Sequence, residues 1–117
     1  MGLQMEIIHR TLVAYPEGEL DHLQAERLRV QMDASFERSG CKNILLDMKG
    51  VTFMDSSGIG MIIGRYKHAE KRRGQLALAN MSDEVSRLFE LSGLAKIILR
   101  TKTVADALTT LEGTHHG

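Results

Sequence analysis

Hydrophobic residues in the first third of the chain change their spacing from a strand-like to a helix-like period. Two short apolar-rich runs, at 5–10 and 12–15, indicate two strands joined by a tight turn at 9–11. Apolar residues then recur every three or four positions, which predicts an amphipathic helix over about 21–39, ended by Gly40. The apolar positions of this helix are Ala25, Leu28, Met32 and Phe36.

The rest of the chain alternates continuous apolar runs with segments of helical spacing. The runs at 44–48, 76–79 and 97–99 suit strands that are covered on both faces. Three further helices are expected between and after these runs, the first ending at Gly74 and the second at Gly93. Their apolar positions are Ile59, Ile62, Ile63 and Tyr66, then Val85, Leu88 and Phe89, and finally Val104, Ala107, Leu108 and Leu111.

This order of strands and helices, with its short connections, predicts crossover units and therefore a largely parallel sheet. The expected fold is α/β, with a mostly parallel sheet of four or five strands and with four helices. The first two strands add an antiparallel edge to the sheet. We expect one domain over residues 1–117, with a core from about 5 to 111 and a frayed tail at 113–117.

Charge and composition exclude several classes of function. Fifteen acidic residues balance fifteen basic ones, so no net charge attracts nucleic acid or an anionic membrane. The start of the chain lacks the basic and apolar pattern of a signal peptide. The longest uncharged stretch, at 56–64, is far shorter than a membrane span. We therefore expect a cytoplasmic protein with no direct nucleic-acid or membrane partner.

A polar segment before the second predicted helix is the main candidate for a functional site. Asp55, Ser56 and Ser57 occupy the positions of a helix N-cap, where unpaired N–H groups and the helix dipole favour an anion. A phosphoryl group on a serine here would be held by free amides. The simplest explanation is that the serine only caps the helix, but two hydroxyls beside a carboxylate exceed what one cap needs.

Glycines follow these polar residues in the first turn of the predicted helix. Gly58 and Gly60 flank Ile59, and each glycine costs about 1 kcal/mol of helix propensity. They are expected to remove side-chain cover and so to leave the hydroxyl approachable. Gly60 and Gly64, four residues apart, would alternatively allow this helix to pack close to the sheet, and the sequence leaves both explanations open.

A second polar segment, Gly18-Glu19-Leu20-Asp21, opens the first predicted helix, and Asp21 suits its N-cap. Loops that leave the strand ends of a mostly parallel sheet gather on one edge. The loops before the first and second helices are therefore expected to be neighbours, which would set Asp21 close to Ser56.

Neither of two common enzyme motifs fits the Asp-Ser-Ser segment. A nucleophile elbow needs Gly-x-Ser-x-Gly, but Met54 and Asp55 stand two residues before Ser56 and Ser57. The glycines that follow are spaced one residue too far apart for the dinucleotide fingerprint. No cluster of Cys and His has metal-ligand spacing. The sequence therefore predicts a binding domain without a metal or cofactor, and not an enzyme.

Four motifs in order along the chain closely resemble the STAS-domain anti-sigma factor antagonists, above all those that act in sporulation of endospore-forming bacteria. The resemblance covers about residues 5–111. The Asp-Ser-Ser-Gly block with its Gly-Arg-Tyr-Lys continuation is the most specific part. The motifs are Gly18-Glu19-Leu20-Asp21, Phe53-Met54-Asp55-Ser56-Ser57-Gly58-Ile59-Gly60, Gly64-Arg65-Tyr66-Lys67 and Arg87-Leu88-Phe89-Glu90-Leu91-Ser92-Gly93-Leu94.

The resemblance implies a cycle of partner switching. The unphosphorylated protein would bind an anti-sigma factor that is also a serine kinase, and so free the sigma factor. The kinase would phosphorylate the first serine of the motif, Ser56, and a PP2C-type phosphatase would restore the binding form. Asp21 corresponds to an acidic residue of the partner interface. The expected binding surface comprises Asp21, Asp55, Ser56, Ser57, Gly58, Ile59 and Gly60.

Two other functions remain open from the residues alone. One is a nucleotide-binding or weakly hydrolytic domain, since loops at strand ends are able to hold phosphates. The other is a receiver-like module that is phosphorylated on Asp47 rather than on Ser56. Ser57 also remains open as a minor phosphorylation site.

Overall fold

The computed structural model describes residues 3–93 and 96–113. Strands and helices alternate along these residues much as the hydrophobic pattern predicts. None of the helices within the described ranges is both long and apolar enough to cross a membrane. The elements are β1 (Gln4–Ile8), β2 (Thr11–Tyr15), β3 (Glu17–Leu20), α1 (His22–Ser39), β4 (Asn43–Asp47), β5 (Gly50–Met54), α2 (Ser56–Lys71), β6 (Leu76–Ala79), α3 (Asp83–Leu91), β7 (Leu99–Thr101) and α4 (Val104–Gly113).

The main sheet has five strands in the order β1-β2-β4-β6-β7. β1 pairs antiparallel with β2, and the other three pairings are parallel. The predicted α/β fold, with an antiparallel edge on a mostly parallel sheet and with four helices, is therefore confirmed. Because the parallel strands run the same way, their carboxyl ends lie along one edge of the sheet, where ligand and partner sites commonly form.

The apolar runs at 44–48 and 76–79 form strands buried on both faces, as predicted, whereas the run at 97–99 does not, because β7 is only partly buried and Ile97 is exposed. Along β4, Ile44 and Leu46 point into the larger core, which α1, α2 and α3 cover, whereas Leu45 points to the opposite face. α4 packs on that opposite face through Ala107 and Leu111. The sheet is thus covered by three helices on one side and by one helix on the other.

A second, two-stranded sheet was not predicted. β3 and β5 pair in parallel, with a register shift between Gly18 and Glu19 where Gly18 has a positive φ of 81°. The prediction missed both strands because they lack an apolar run: Leu20 is the only buried residue of β3, and β5 buries only Val51 and Met54. This small sheet carries the starts of α1 and α2.

Three predicted boundaries need correction. The last strand lies at Leu99–Thr101 rather than at 97–99, because pairing with β6 begins at Leu99, although Ile98 is buried before it. α2 ends at Lys71 rather than at Gly74, and Arg73, not Gly74, takes a left-handed conformation after it. Gly113 belongs to α4. The remainder of the predicted tail, 114–117, and Leu94 of the fourth motif lie outside the described residues.

Candidate functional site

The small β3–β5 sheet places the first residues of α1 and α2 side by side. Leu20, the last residue of β3, pairs with Met54, the last residue of β5. The backbone N–H of Asp55 then donates to the carbonyl oxygen of Leu20 at 3.4 Å. The loops around Asp21 and Ser56 are therefore neighbours, as the sequence predicts, but the contact comes from a pair of strands that the sequence did not reveal.

An aspartate caps each of the two helices. Oδ1 of Asp55 accepts hydrogen bonds from the backbone N–H groups of Ser57 at 2.8 Å and Gly58 at 3.3 Å. Oδ1 of Asp21 accepts from the N–H of Gln24 at 3.0 Å. These carboxylates satisfy N–H groups that would otherwise lack partners and place negative charge at the positive helix ends.

Ser56 is the first residue of α2 and is not its cap. Its side chain is exposed, and its hydroxyl makes no hydrogen bond with any described residue. Because Asp55 caps the helix, the explanation that Ser56 is only an N-cap does not hold. The result is a free hydroxyl on the surface, but the N–H groups of Ser57 and Gly58, which were expected to be free for a phosphoryl group, already donate to Asp55.

His22 is a member of the site that sequence reasoning missed. Its Nδ1 lies 3.5 Å from Oγ of Ser57, at the limit of a hydrogen bond, and so links the start of α1 to the start of α2. The two residues are 35 positions apart. The only sequence signal for this role was that His22 follows Asp21.

The glycines of α2 have different roles from those expected. A Cβ on Gly58 would lie 2.8 Å from the carbonyl oxygen of Leu20 and 2.9 Å from Cβ of Met54, so Gly58 allows the helix start to sit tightly on β3 and β5. It does not uncover the hydroxyl. Cβ atoms on Gly60 and Gly64 would meet nothing within 4 Å, which contradicts the alternative that these two glycines pack against the sheet.

A buried arginine lies between α1 and α2, further along the same helices. Arg65 is only 4% exposed, and its Nε lies 3.0 Å from Oδ1 of Asp33. The angles of this ion pair are poor, and Nη1 of Arg65 has no hydrogen-bond partner among the described residues. Burial lowers the pKa of the Arg65 guanidinium, while the nearby Asp33 carboxylate opposes that effect.

A separate cleft opens at the carboxyl ends of the strands of the main sheet. Its volume is about 650 Å³, and its lining includes Lys49, Asn80, Arg100 and Lys102. Arg100 pairs with Glu90 at 3.2 Å. The described residues contain no group of three or more His, Cys, Asp or Glu side chains that could hold a metal ion.

The mixed sheet, the paired starts of α1 and α2 and the exposed Ser56 together indicate one class of protein, the STAS domains. The family description for the STAS domain matches residues 2–107, and the chain belongs to this family. Its relatives include the anti-sigma F factor antagonist of Paenibacillus polymyxa, which is 41% identical over 114 residues, or 96% of this chain and 97% of the relative. The anti-sigma-B factor antagonist of Bacillus subtilis strain 168 is 38% identical over 81 residues, or 69% and 72% of the two chains.

Solved structures agree with this assignment. The unphosphorylated form of the anti-sigma factor antagonist SpoIIAA superposes with a TM-score of 0.75 at 27% identity, covering 96% of this chain and 99% of SpoIIAA. The phosphorylated form of the Bacillus cell fate determinant SpoIIAA gives a TM-score of 0.71 at 30% identity, covering 93% and 98%. The predicted membership of the STAS family is confirmed.

Proposed function

We propose that this protein is an anti-sigma factor antagonist that is switched by phosphorylation of Ser56. Its unphosphorylated form binds an anti-sigma factor that is also a serine kinase, and this binding releases the sigma factor. The kinase then phosphorylates Ser56 and the complex dissociates. A PP2C-type phosphatase removes the phosphoryl group, and the whole cycle takes place in the cytoplasm.

The observation that carries this proposal is the free hydroxyl of Ser56. The hydroxyl is exposed and unbonded, and Asp55 already caps the helix, so modification breaks no hydrogen bond of the fold. Relatives that are named anti-sigma factor antagonists, and SpoIIAA structures in both phosphorylation states, support the same role.

The proposed binding surface is centred on the two paired helix starts. Asp21, Ser56 and Gly60 are exposed, and Asp55, Ser57 and Ile59 are half-buried at the same end of α2. Gly58 is buried. We therefore reassign Gly58 from a partner contact to a positioning residue, because it lets α2 start directly on β3 and β5.

Local charge is sufficient to explain the switch. A phosphoserine carries about two negative charges at neutral pH. Against one carboxylate about 5 Å away, at an effective dielectric constant of about 20, the repulsion amounts to several kcal/mol before screening. Each 1.4 kcal/mol changes affinity about ten-fold. Phosphorylation at an interface is therefore able to weaken binding by orders of magnitude without changing the fold.

Mass spectrometry after incubation with ATP and the host's anti-sigma kinase tests this proposal. We expect one added phosphoryl group that maps to Ser56, that survives acid, and that is absent from the Ser56→Ala variant. Ser57→Ala is the matched control and should still be modified. An acid-labile group on Asp47, or no modification of the wild type, would contradict the proposal.

A nucleotide-binding function has one observation in its favour. The cleft at the strand ends brings Lys49, Arg100 and Lys102 together beside Asn80, and Glu90 is the only carboxylate in its lining. Titration with ATP or GTP without any partner distinguishes the two functions. Tight binding that is lost in Lys49→Ala would favour the nucleotide-binding function, whereas the antagonist function predicts little binding.

A further inference from the structure

A groove of about 270 Å³ runs between α1 and α2, away from the Ser56 end of the molecule. We call it the α1–α2 groove and define it by His22, Arg29, Ser57, Gly60, Gly64 and Arg65, which line it. Ser57 and His22 line the end of the groove that is nearest to Ser56. The groove is therefore continuous with the surface that the proposed function assigns to the partner.

Two glycines leave the α2 wall of the groove open. Cβ atoms at Gly60 and Gly64 would meet no atom within 4 Å, and neither residue has a positive φ. Neither tight packing nor backbone conformation therefore requires glycine at these positions, although glycine in a helix lowers stability relative to alanine. The two glycines lie about one helical turn apart, and together they leave open space along one side of α2.

The charged groups that line the groove favour an anion. Arg29 and Arg65 contribute two guanidinium groups, whereas Glu26 is the only carboxylate in the lining. Arg29 pairs with Glu26 and lies 3.6 Å from Asp33, so an incoming carboxylate competes with these two groups for it. Arg65 pairs with Asp33 at the base of the groove, and Nη1 of Arg65 has no hydrogen-bond partner among the described residues. A buried donor without an acceptor is unfavourable, so an incoming acceptor gains from meeting it.

We propose that the α1–α2 groove receives an aspartate or glutamate side chain of the partner protein. This inference rests on the proposed function and extends the binding surface to Arg29, Gly64 and Arg65. The carboxylate enters over Gly60 and Gly64 and pairs with the guanidinium groups. The bound carboxylate also makes the switch more effective. Phosphate on Ser56 adds negative charge at one end of the groove, and this charge repels the partner's acidic group.

Two substitutions at the mouth of the groove test the sign of the occupant's charge. Arg29 and Glu26 are both substantially exposed, so changing either should leave the fold intact. Arg29→Glu should weaken binding of the host's anti-sigma kinase about ten-fold or more. Glu26→Gln removes a competing carboxylate and should tighten binding several-fold. Both effects should shrink at high salt, because salt screens exposed charges.

A third substitution tests the space above the glycines. Gly64→Ala adds one methyl group to the groove and should raise the melting temperature, because alanine favours the helix. The same change should weaken binding of the kinase. Gly113→Ala is the matched control, since its Cβ also meets nothing within 4 Å but lies in α4, on the opposite face of the sheet. It should leave the affinity unchanged.

Isothermal titration of the unphosphorylated protein with the host's anti-sigma kinase separates the outcomes. If the wild type does not bind, the proposed function fails, and this inference fails with it. If the wild type binds and all variants bind equally, the function stands and the groove is not part of the interface. If Glu26→Gln weakens binding and Arg29→Glu tightens it, the occupant is basic and the inference is wrong.

Discussion

Among the glycines in the described ranges, Gly74 has the least room for a side chain. A Cβ at this position would collide with the backbone carbonyl group of Lys42, in the loop before β4. The φ angle is not the reason, because Arg73 takes the left-handed conformation at the end of α2. Glycine is needed here because two backbone segments touch, just before Gln75 donates to Oδ1 of Asn43 at 2.9 Å.

Gly74→Ala should therefore lower the free energy of unfolding by about 3 kcal/mol, the upper part of the usual range for overpacked sites. The backbone of Lys42 must move to accept the methyl group, and β4 moves with it. Urea unfolding of the purified proteins measures the effect. Gly60→Ala provides the contrast, since open space at that position should leave stability equal or higher. Equal stability of Gly74→Ala and the wild type would show that this contact is not rigid.

At the scale of elements, Arg72 ties α1 to α2 at the end opposite the candidate site. Its Nη1 donates to the carbonyl oxygens of Phe36 at 2.7 Å and Cys41 at 2.8 Å. Its guanidinium also lies over the ring of Phe36, 4.3 Å from the centroid. These contacts satisfy carbonyl groups at the end of α1. The two helices are thus fixed together at the end that lies far from Ser56.

The β1–β2 hairpin contains a titratable contact that gives a prediction at the same scale. The hydroxyl of Tyr15 donates to the carboxylate of Glu6, and this hydrogen bond is the main cause that raises the pKa of Tyr15 from 10.0 to about 12. Burial and the charges of Glu6 and Asp47 act in the same direction. The folded state thus prefers the neutral phenol.

The stability from this contact should be complete below pH 10 and should be lost as the pH rises to about 12. In Tyr15→Phe there is no phenol to ionise, so its stability should not show this loss. Urea unfolding of both proteins, at neutral pH and in steps through the alkaline range, gives the difference. The contact is partly exposed, so the effect should be small. A constant difference between the two proteins across this range would contradict the assignment.

At the scale of the whole molecule, the strands and helices that the sequence predicted are those that produce a regular local spacing of apolar residues. The buried strands appeared as apolar runs, and the helices appeared as three- and four-residue repeats. β3 and β5 could not be predicted in this way. Their two-stranded sheet is only partly buried, so neither strand needs a continuous run of apolar residues. His22 and Arg65 were missed for a related reason: their partners, Ser57 and Asp33, are distant in the sequence and meet only in the folded chain.

The candidate site itself was predicted in part. The Asp-Ser-Ser segment indicated a helix start, and the order of elements indicated that two helix starts would meet. The sequence could not decide which polar residue caps the helix, because Asp55 and Ser56 are both good N-cap residues. It could not separate the roles of the glycines either, because Gly58 is close-packed and Gly60 is open although they are two positions apart.

The pairing of β3 with β5 has a consequence for the protein while it is being made. Ribosomes release the chain from its amino terminus, so β3 emerges before β5 and cannot pair until β5 has followed it. β4, which precedes β5 directly, lies between β2 and β6 in the sheet. Chains that stop before β6 leave one edge of β4 unpaired, so the main sheet beside the two helix starts is completed only after β6 has been released.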